Sequence, residues 1–196
     1  MDAAGIILAG GKSSRFKENK AMVKIASQRL IDRIVDVLAS VLPKIILVTN
    51  TPEQYKTLGV QMVMDIIPGK GPLSGMHAGL ISSPCDLNYV AACDMPFINA
   101  DIVRYMVEQT EVCDDAVVPV IKGYPEPLAA VYRKTCIKHI EDSLINKKYQ
   151  VKSFYPHIRL KYIPEKELQE YGGGKNFFNI NTRDDFHIAL NMEQEQ

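Results

Sequence analysis

The chain has 196 residues, enough for one large domain with a substantial buried core. Lysine plus arginine equals aspartate plus glutamate, 23 each, so no overall basic field marks it for nucleic acid or a membrane surface, and a local cluster of positive side chains reads as a site. Its four cysteines and four histidines form no CxxC pair and no zinc-type spacing, which argues against a zinc module or a disulfide framework.

The opening "MDAAGIILAGG" has no basic leader and no long apolar core, so no signal peptide is expected. No run approaches the roughly 20 apolar residues of a membrane span. The expectation is a soluble, cytoplasmic protein with reduced thiols. Cys93, inside the apolar "YVAAC", reads as a packing thiol rather than a nucleophile.

Short apolar runs alternate with helical patterns over the first 120 residues. Strands are expected at Ala4–Ala9, Lys44–Thr49, Val60–Met64, Asn88–Cys93 and Asp115–Val120. Between the first two, Leu30, Ile31, Ile34, Val35, Leu38, Val41 and Leu42 recur at helical spacing, and Pro43 stops the pattern. A second helix opens at Pro72, a first-turn proline, and a third follows Asn99 as N-cap. This alternation predicts an α/β fold with a mainly parallel central sheet. After Val120 a helix is expected around Thr135–Asn146 and a short strand around Arg159–Ile163. With the C-terminal "FFNINTRDDFHIAL" they read as an extension covering the sheet edge. The whole chain, 1–196, is read as one domain with halves of about 1–120 and 121–196.

Right-handed crossovers place the loops after parallel strands along one edge, where ligands bind. The first such loop is "LAGGKSSRFKENKA". It is neither GxxxxGK[ST] nor GxGxxG. Gly10 and Gly11 nevertheless let backbone N–H groups approach an anion, Arg15 can grip a phosphate bidentately, and Lys20 supplies a mobile charge. A basic surface loop would fit the same residues. Asp65 and Asp94 each follow an apolar run, which aims a carboxylate into the crevice. Mg²⁺ is commonly held by one or two carboxylates plus substrate phosphates, although both aspartates would also serve as turn formers.

Five segments in order from residue 8 to 182, "LAGGKSSRFKENKA", "GPLSG", "ACDMPF", "PEPLAAVY" and "FFNINT", resemble the molybdenum cofactor guanylyltransferase (MobA) family, within the nucleotidyltransferases that carry LAGGxxxR…K. The resemblance implies a Rossmann-like three-layer α/β/α nucleotidyltransferase fold, with a nucleotide half and a pterin-side extension. It implies transfer of GMP from GTP to the phosphate of molybdopterin, with release of pyrophosphate. Leu8, Ala9, Gly10 and Gly11 would hold the nucleotide, Lys20 its phosphates, and Asn50 with Asp65 the guanine or ribose side. Asp94 would bind Mg²⁺ as well as nucleotide, Arg15 and Lys20 would offset the leaving pyrophosphate's charge, and Asn179 and Asn181 would lie by the pterin. Transient contact with other molybdenum cofactor biosynthesis proteins follows from the same resemblance.

The family's loop typically runs R-M-G-x-D-K, whereas this chain has "RFKENK", with Asn19 where the aspartate stands. Ala26-Ser27 replaces a GG or GK turn. A cytidylyltransferase for the same pterin, a sugar-phosphate nucleotidyltransferase and a non-catalytic nucleotide-binding carrier remain as alternatives.

Overall fold

The computed structural model describes residues 2–10 and 19–194. In chain order the strands are β1 (Ala3–Leu8), β2 (Lys24–Ile25), β3 (Gln28–Arg29), β4 (Lys44–Val48), β5 (Gln61–Val63), β6 (Leu87–Ala92), β7 (Ala116–Ile121), β8 (Tyr124–Pro125), β9 (Ala129–Arg133) and β10 (Leu160–Pro164). The helices are α1 (Leu30–Ala39), α2 (Pro72–Ser82), α3 (Ala100–Glu108), α4 (Cys136–Ile145) and α5 (Arg183–Gln194).

The main sheet runs β10-β7-β9-β6-β1-β4-β5, with β8 hairpinned onto β7. β1 pairs in parallel with β4 and β6, β4 with β5, and β7 with β10. β9 alone on this path runs antiparallel to both its neighbours, β6 and β7. The expected mainly parallel sheet is therefore present, and the carboxyl ends of six strands share one edge. Residues beyond Val120 supply both an interior strand, β9, and the edge strand β10.

Successive residues of each strand point to opposite faces, so both faces must be covered. On one face Ile7, Leu47, Tyr89 and Val117 pack against Ile31, Ile34 and Leu38 of α1 and Ile102, Val103 and Met106 of α3. On the other, Ile6, Ile46, Val90 and Val118 pack against Leu73, Met76 and Leu80 of α2 and Ile140 and Leu144 of α4. Each fully buried Ile or Leu contributes roughly 1.5–3 kcal/mol from area removed from water. The result is a three-layer α/β/α arrangement.

α2 has no polar face because Leu73 through Leu80 are all buried between sheet and α4. Gly79 is what lets it lie so close: an added Cβ would stand 2.5 Å from Ile6 Cγ2. Its start is equally constrained. Gly71, at φ 71 and ψ −163, occupies a region that only glycine enters readily, and Pro72 then opens the helix without needing an N–H partner. Asn99 caps α3 as expected, its side chain accepting from Ile102 N at 2.9 Å.

A smaller cluster lies beside the main core. Ile25, Leu30, Phe97, Ile180 and Ala189 join the β2–β3 hairpin to α5. Ala26 turns that hairpin at φ 54, a left-handed conformation that costs a residue with a Cβ roughly 1–2 kcal/mol. The Arg33–Glu193 ion pair fastens α5 to α1 beside the same cluster. Among the described residues no helix is long and apolar enough to cross a membrane.

Candidate active site

Gly11 and Arg15 lie outside the described residues, while the other expected site residues lie within them. The end of β1 is threaded between its neighbours: Ala9 N donates to Val48 O at 2.9 Å and Cys93 N donates to Leu8 O at 3.2 Å. Leu8 and Ala9 are therefore buried, and Gly10 emerges exposed at the sheet's carboxyl edge.

Two groups of polar side chains stand along this edge. The first pairs Asn50, just after β4, with Asp65, just after β5. Asn50 Nδ2 donates to Asp65 Oδ2 at 2.9 Å, and Asp65 N donates back to Asn50 Oδ1 at 3.1 Å. This reciprocal pair leaves Asp65 Oδ1 without a hydrogen bond from a described residue, near the first turns of α2, where a Cβ on Gly75 would lie 3.6 Å from it. The loop between Asp65 and α2 is pinned by a hydrogen bond from Ser74 Oγ to Ile67 O. Met64 and Ile66 flank Asp65 with more than half of their surface exposed.

The second group gathers Lys20, Asp94 and Asn181. Lys20 belongs to a single 3-10 turn, Lys20–Met22, and its Nζ donates to Asn181 Oδ1 at 3.1 Å. The same Nζ is 3.9 Å from Asp94 Oδ2, and both side chains are about four-fifths buried. Burial pushes the Asp94 carboxyl above its ordinary value, against the pull of the Lys20 charge and of its own backbone N–H. Desolvation likewise pushes the neighbouring Cys93 thiol up to about 12, so it stays protonated, as a packing thiol does.

Asn181 arrives from the far end of the chain. Ile180 N donates to Asp94 O at 2.9 Å, which stitches the "FFNIN" segment to the end of β6. A capping box then fixes the turn: Asp185 Oδ2 accepts from Asn181 N and Thr182 N at 2.9 and 2.7 Å, and Asp185 N donates to Thr182 Oγ1 at 3.1 Å. Asn179 is engaged locally, with its Nδ2 donating to Phe177 O at 3.1 Å. The structure thus brings Asn181, rather than Asn179, onto Lys20. Asp185 and Thr182 went unread at the level of sequence, although "TRDD" carries the T-x-x-D spacing of a capping box.

A partly buried strand-end carboxylate beside a lysine, and a hydrogen-bonded Asn–Asp pair two strands away, stand on one edge of a Rossmann-like sheet, the architecture of the nucleotidyltransferases. The chain belongs to the MobA-like NTP transferase domain family, whose model matches residues 5–159. It is 41% identical over 195 residues to the probable molybdenum cofactor guanylyltransferase of Pelotomaculum thermopropionicum, covering 99% of this chain and 95% of that one. The molybdenum cofactor guanylyltransferase of Desulfosudis oleivorans is 36% identical over 192 residues, covering 96% of this chain and 95% of the relative. Among solved structures, molybdopterin-guanine dinucleotide biosynthesis protein A from Archaeoglobus fulgidus superposes with a TM-score of 0.86 at 25% identity, covering 98% of this chain and all of the other.

Proposed function

We propose that the chain transfers GMP from GTP to the terminal phosphate of molybdopterin, forming the guanine dinucleotide and releasing pyrophosphate. The observation that carries this reading is the meeting of Lys20, Asp94 and Asn181 at one sheet edge, in a chain similar along nearly its full length to guanylyltransferases. Asn181 belongs to the half that follows Val120, so the site joins a nucleotide side to an acceptor side.

The attacking atom is a phosphate oxygen, already anionic at neutral pH, so no general base is required. The barrier lies in bringing two polyanions together and stabilising charge at the α-phosphate. Positioning and fixed charge should dominate. Lys20 moves the short distance from Asp94 to the triphosphate, and Arg15 shares the charge of the leaving pyrophosphate. Asn181 holds Lys20 on the acceptor side. The Asn50–Asp65 pair orients the guanine or ribose, while Met64 and Ile66 offer apolar surface to a flat base. Leu8, Ala9, Gly10 and Gly11 carry the backbone past the phosphates.

The donor set fits Mg²⁺ bound together with substrate. No three His, Cys, Asp or Glu side chains among the described residues are grouped to hold a metal by themselves. Asp94 is a desolvated carboxylate with one loose partner, which suits a hard cation that takes its remaining ligands from phosphates and water. Asp94 would hold the ion, which when bound neutralises phosphate charge and polarises the α-phosphate. The reaction takes place in the cytoplasm on this reading, and the product passes to other proteins of molybdenum cofactor biosynthesis by transient contact.

Incubation with purified molybdopterin, Mg²⁺ and either GTP or CTP tests the proposal. Pyrophosphate release with GTP, and a guanine dinucleotide identified by mass, is the expected result. A cytosine dinucleotide would reassign the base, and binding without release would make the chain a carrier.

A further inference from the structure

Asn19 stands immediately before Lys20, and among the described residues its side chain makes three hydrogen bonds. Its Oδ1 accepts from Ala21 N at 3.1 Å, capping the 3-10 turn that carries Lys20. Its Nδ2 donates to Gln54 Oε1 at 2.6 Å and to Tyr55 Oη at 2.9 Å. Gln54 and Tyr55 belong to a second 3-10 segment, Pro52–Leu58, which follows β4. Tyr55 is only 1% exposed and is packed into the same core as Ile31 and Leu38. The asparagine amide therefore ties the short turn to the body of the molecule from below, while Asn181 meets the lysine's ammonium from the other side.

This arrangement matters because Lys20 works at the end of a flexible four-carbon stem. A lysine carries about 2 kcal/mol of rotamer entropy, and a charge displaced by about 1 Å from its working position can cost up to 10²-fold in rate. Fixing the backbone below the stem limits where the ammonium can go. We propose that Asn19 is the positioning residue for Lys20, and that its amide nitrogen is the group that matters, through Gln54 and Tyr55. The missing negative charge at this position then has a different meaning. An aspartate would still cap Ala21 N, but with no proton to donate it would meet Gln54 and Tyr55 only as an acceptor, from a turned Gln54 amide and from the Tyr55 hydroxyl. It would also add a second carboxylate beside Lys20, the lysine read as the phosphate cation.

The inference rests on the reading of Lys20 as the phosphate cation, so both are tested together. Asn19→Ala, Asn19→Asp and Gln54→Ala are made in the wild-type chain and in Lys20→Ala. kcat/KM for GTP is followed by pyrophosphate release, with thermal melting as a check on folding. Asn19→Ala should lower kcat/KM about tenfold in the wild type and less than about twofold once Lys20 is gone, because a positioning residue loses its effect with its client. Asn19→Asp and Gln54→Ala should each lose about threefold, again only when Lys20 is present. Equal losses in both backgrounds would show a general structural role and overturn the inference. So would full activity of Asn19→Asp, which would show that donation from the amide nitrogen is not required. If Lys20→Ala itself is fully active, the phosphate-cation reading fails first, and the Asn19 variants then have no client to position. Gln54 lies on an exposed part of its segment, so its variant keeps the test open should Asn19→Ala fold poorly.

Discussion

The two ends of the same sheet treat charge in opposite ways. At the amino ends of β7 and β10, Asp115 accepts from Arg159 N, Nε and Nη2 at 2.9, 3.0 and 3.0 Å, and from Thr135 Oγ1 at 2.7 Å. Beside it Arg133 donates to Asp114 O, Asp86 Oδ2 and Glu111 O. At the carboxyl end, Asp94 has Lys20, at 3.9 Å, as its ion-pair partner among the described residues. The titration behaviour follows: the hydrogen bonds from Arg159 hold the Asp115 carboxyl well below the usual range, whereas burial pushes Asp94 up. Both aspartates adjoin buried strands. The one with saturated partners ties elements together, and the one with a single loose ion pair is the one proposed above to meet a ligand.

That contrast is broken most directly at Asp94. Asp94→Ala should reduce pyrophosphate release by at least about 10³-fold while the melting temperature stays within a few degrees, since few bonds are lost. Near-normal turnover with Mg²⁺ present would remove Asp94 from the site. Lys20→Ala should cost about 10²-fold in kcat/KM for GTP, measured by titrating nucleotide, and unchanged kinetics would leave the edge without its cation. Asn50→Ala should weaken GTP binding about tenfold, and Asp65→Ala should add little to it, because each orients the other. Full additivity by equilibrium dialysis would mean two separate contacts.

The smallest effect on turnover is expected at the saturated end. Asp115→Asn should leave kcat/KM within about twofold, yet lower the melting temperature by roughly 3–6 °C at pH 7. Its folded-state pKa lies below the unfolded value near 3.9, so the stability it contributes is present above about pH 4 and is lost as pH falls toward the folded value. The gap in melting temperature between wild type and variant should therefore close on acidification. A gap that widened instead would contradict the sign.

Much of this was legible along the chain. β1, β4, β6 and β7 are short, mostly apolar runs with Gly, Asn or Asp close by, and the structure places each within a residue or two of its expected limits. α1 shows its buried stripe directly, and Asn99 and Pro72 mark helix starts because capping and first-turn chemistry are local. β9 escaped notice. "AAVYR" is alanine-rich, and what makes it a strand is pairing with β6 and β7, which no local pattern announces. The 3-10 segments at 52–58, 151–157, 165–171 and 173–177 have no long period to detect. Lys20, Asp65 and Asp94 stood out by chemistry and resemblance. The reason Asn19 suits its place did not, because it depends on Gln54 and Tyr55, 35 and 36 residues away.

The bond between Lys20 and Asn181 spans 161 positions of sequence. During synthesis, β1 to β10 are all available to pair before Asn181 leaves the ribosome, so the sheet can assemble while its working edge is still open on the acceptor side. The docking of the "FFNIN" segment on Asp94 and the Thr182–Asp185 turn are therefore among the last contacts that vectorial synthesis allows to form. A chain that stopped short of Asn181 could pair its sheet strands and still lack the contact that restrains Lys20.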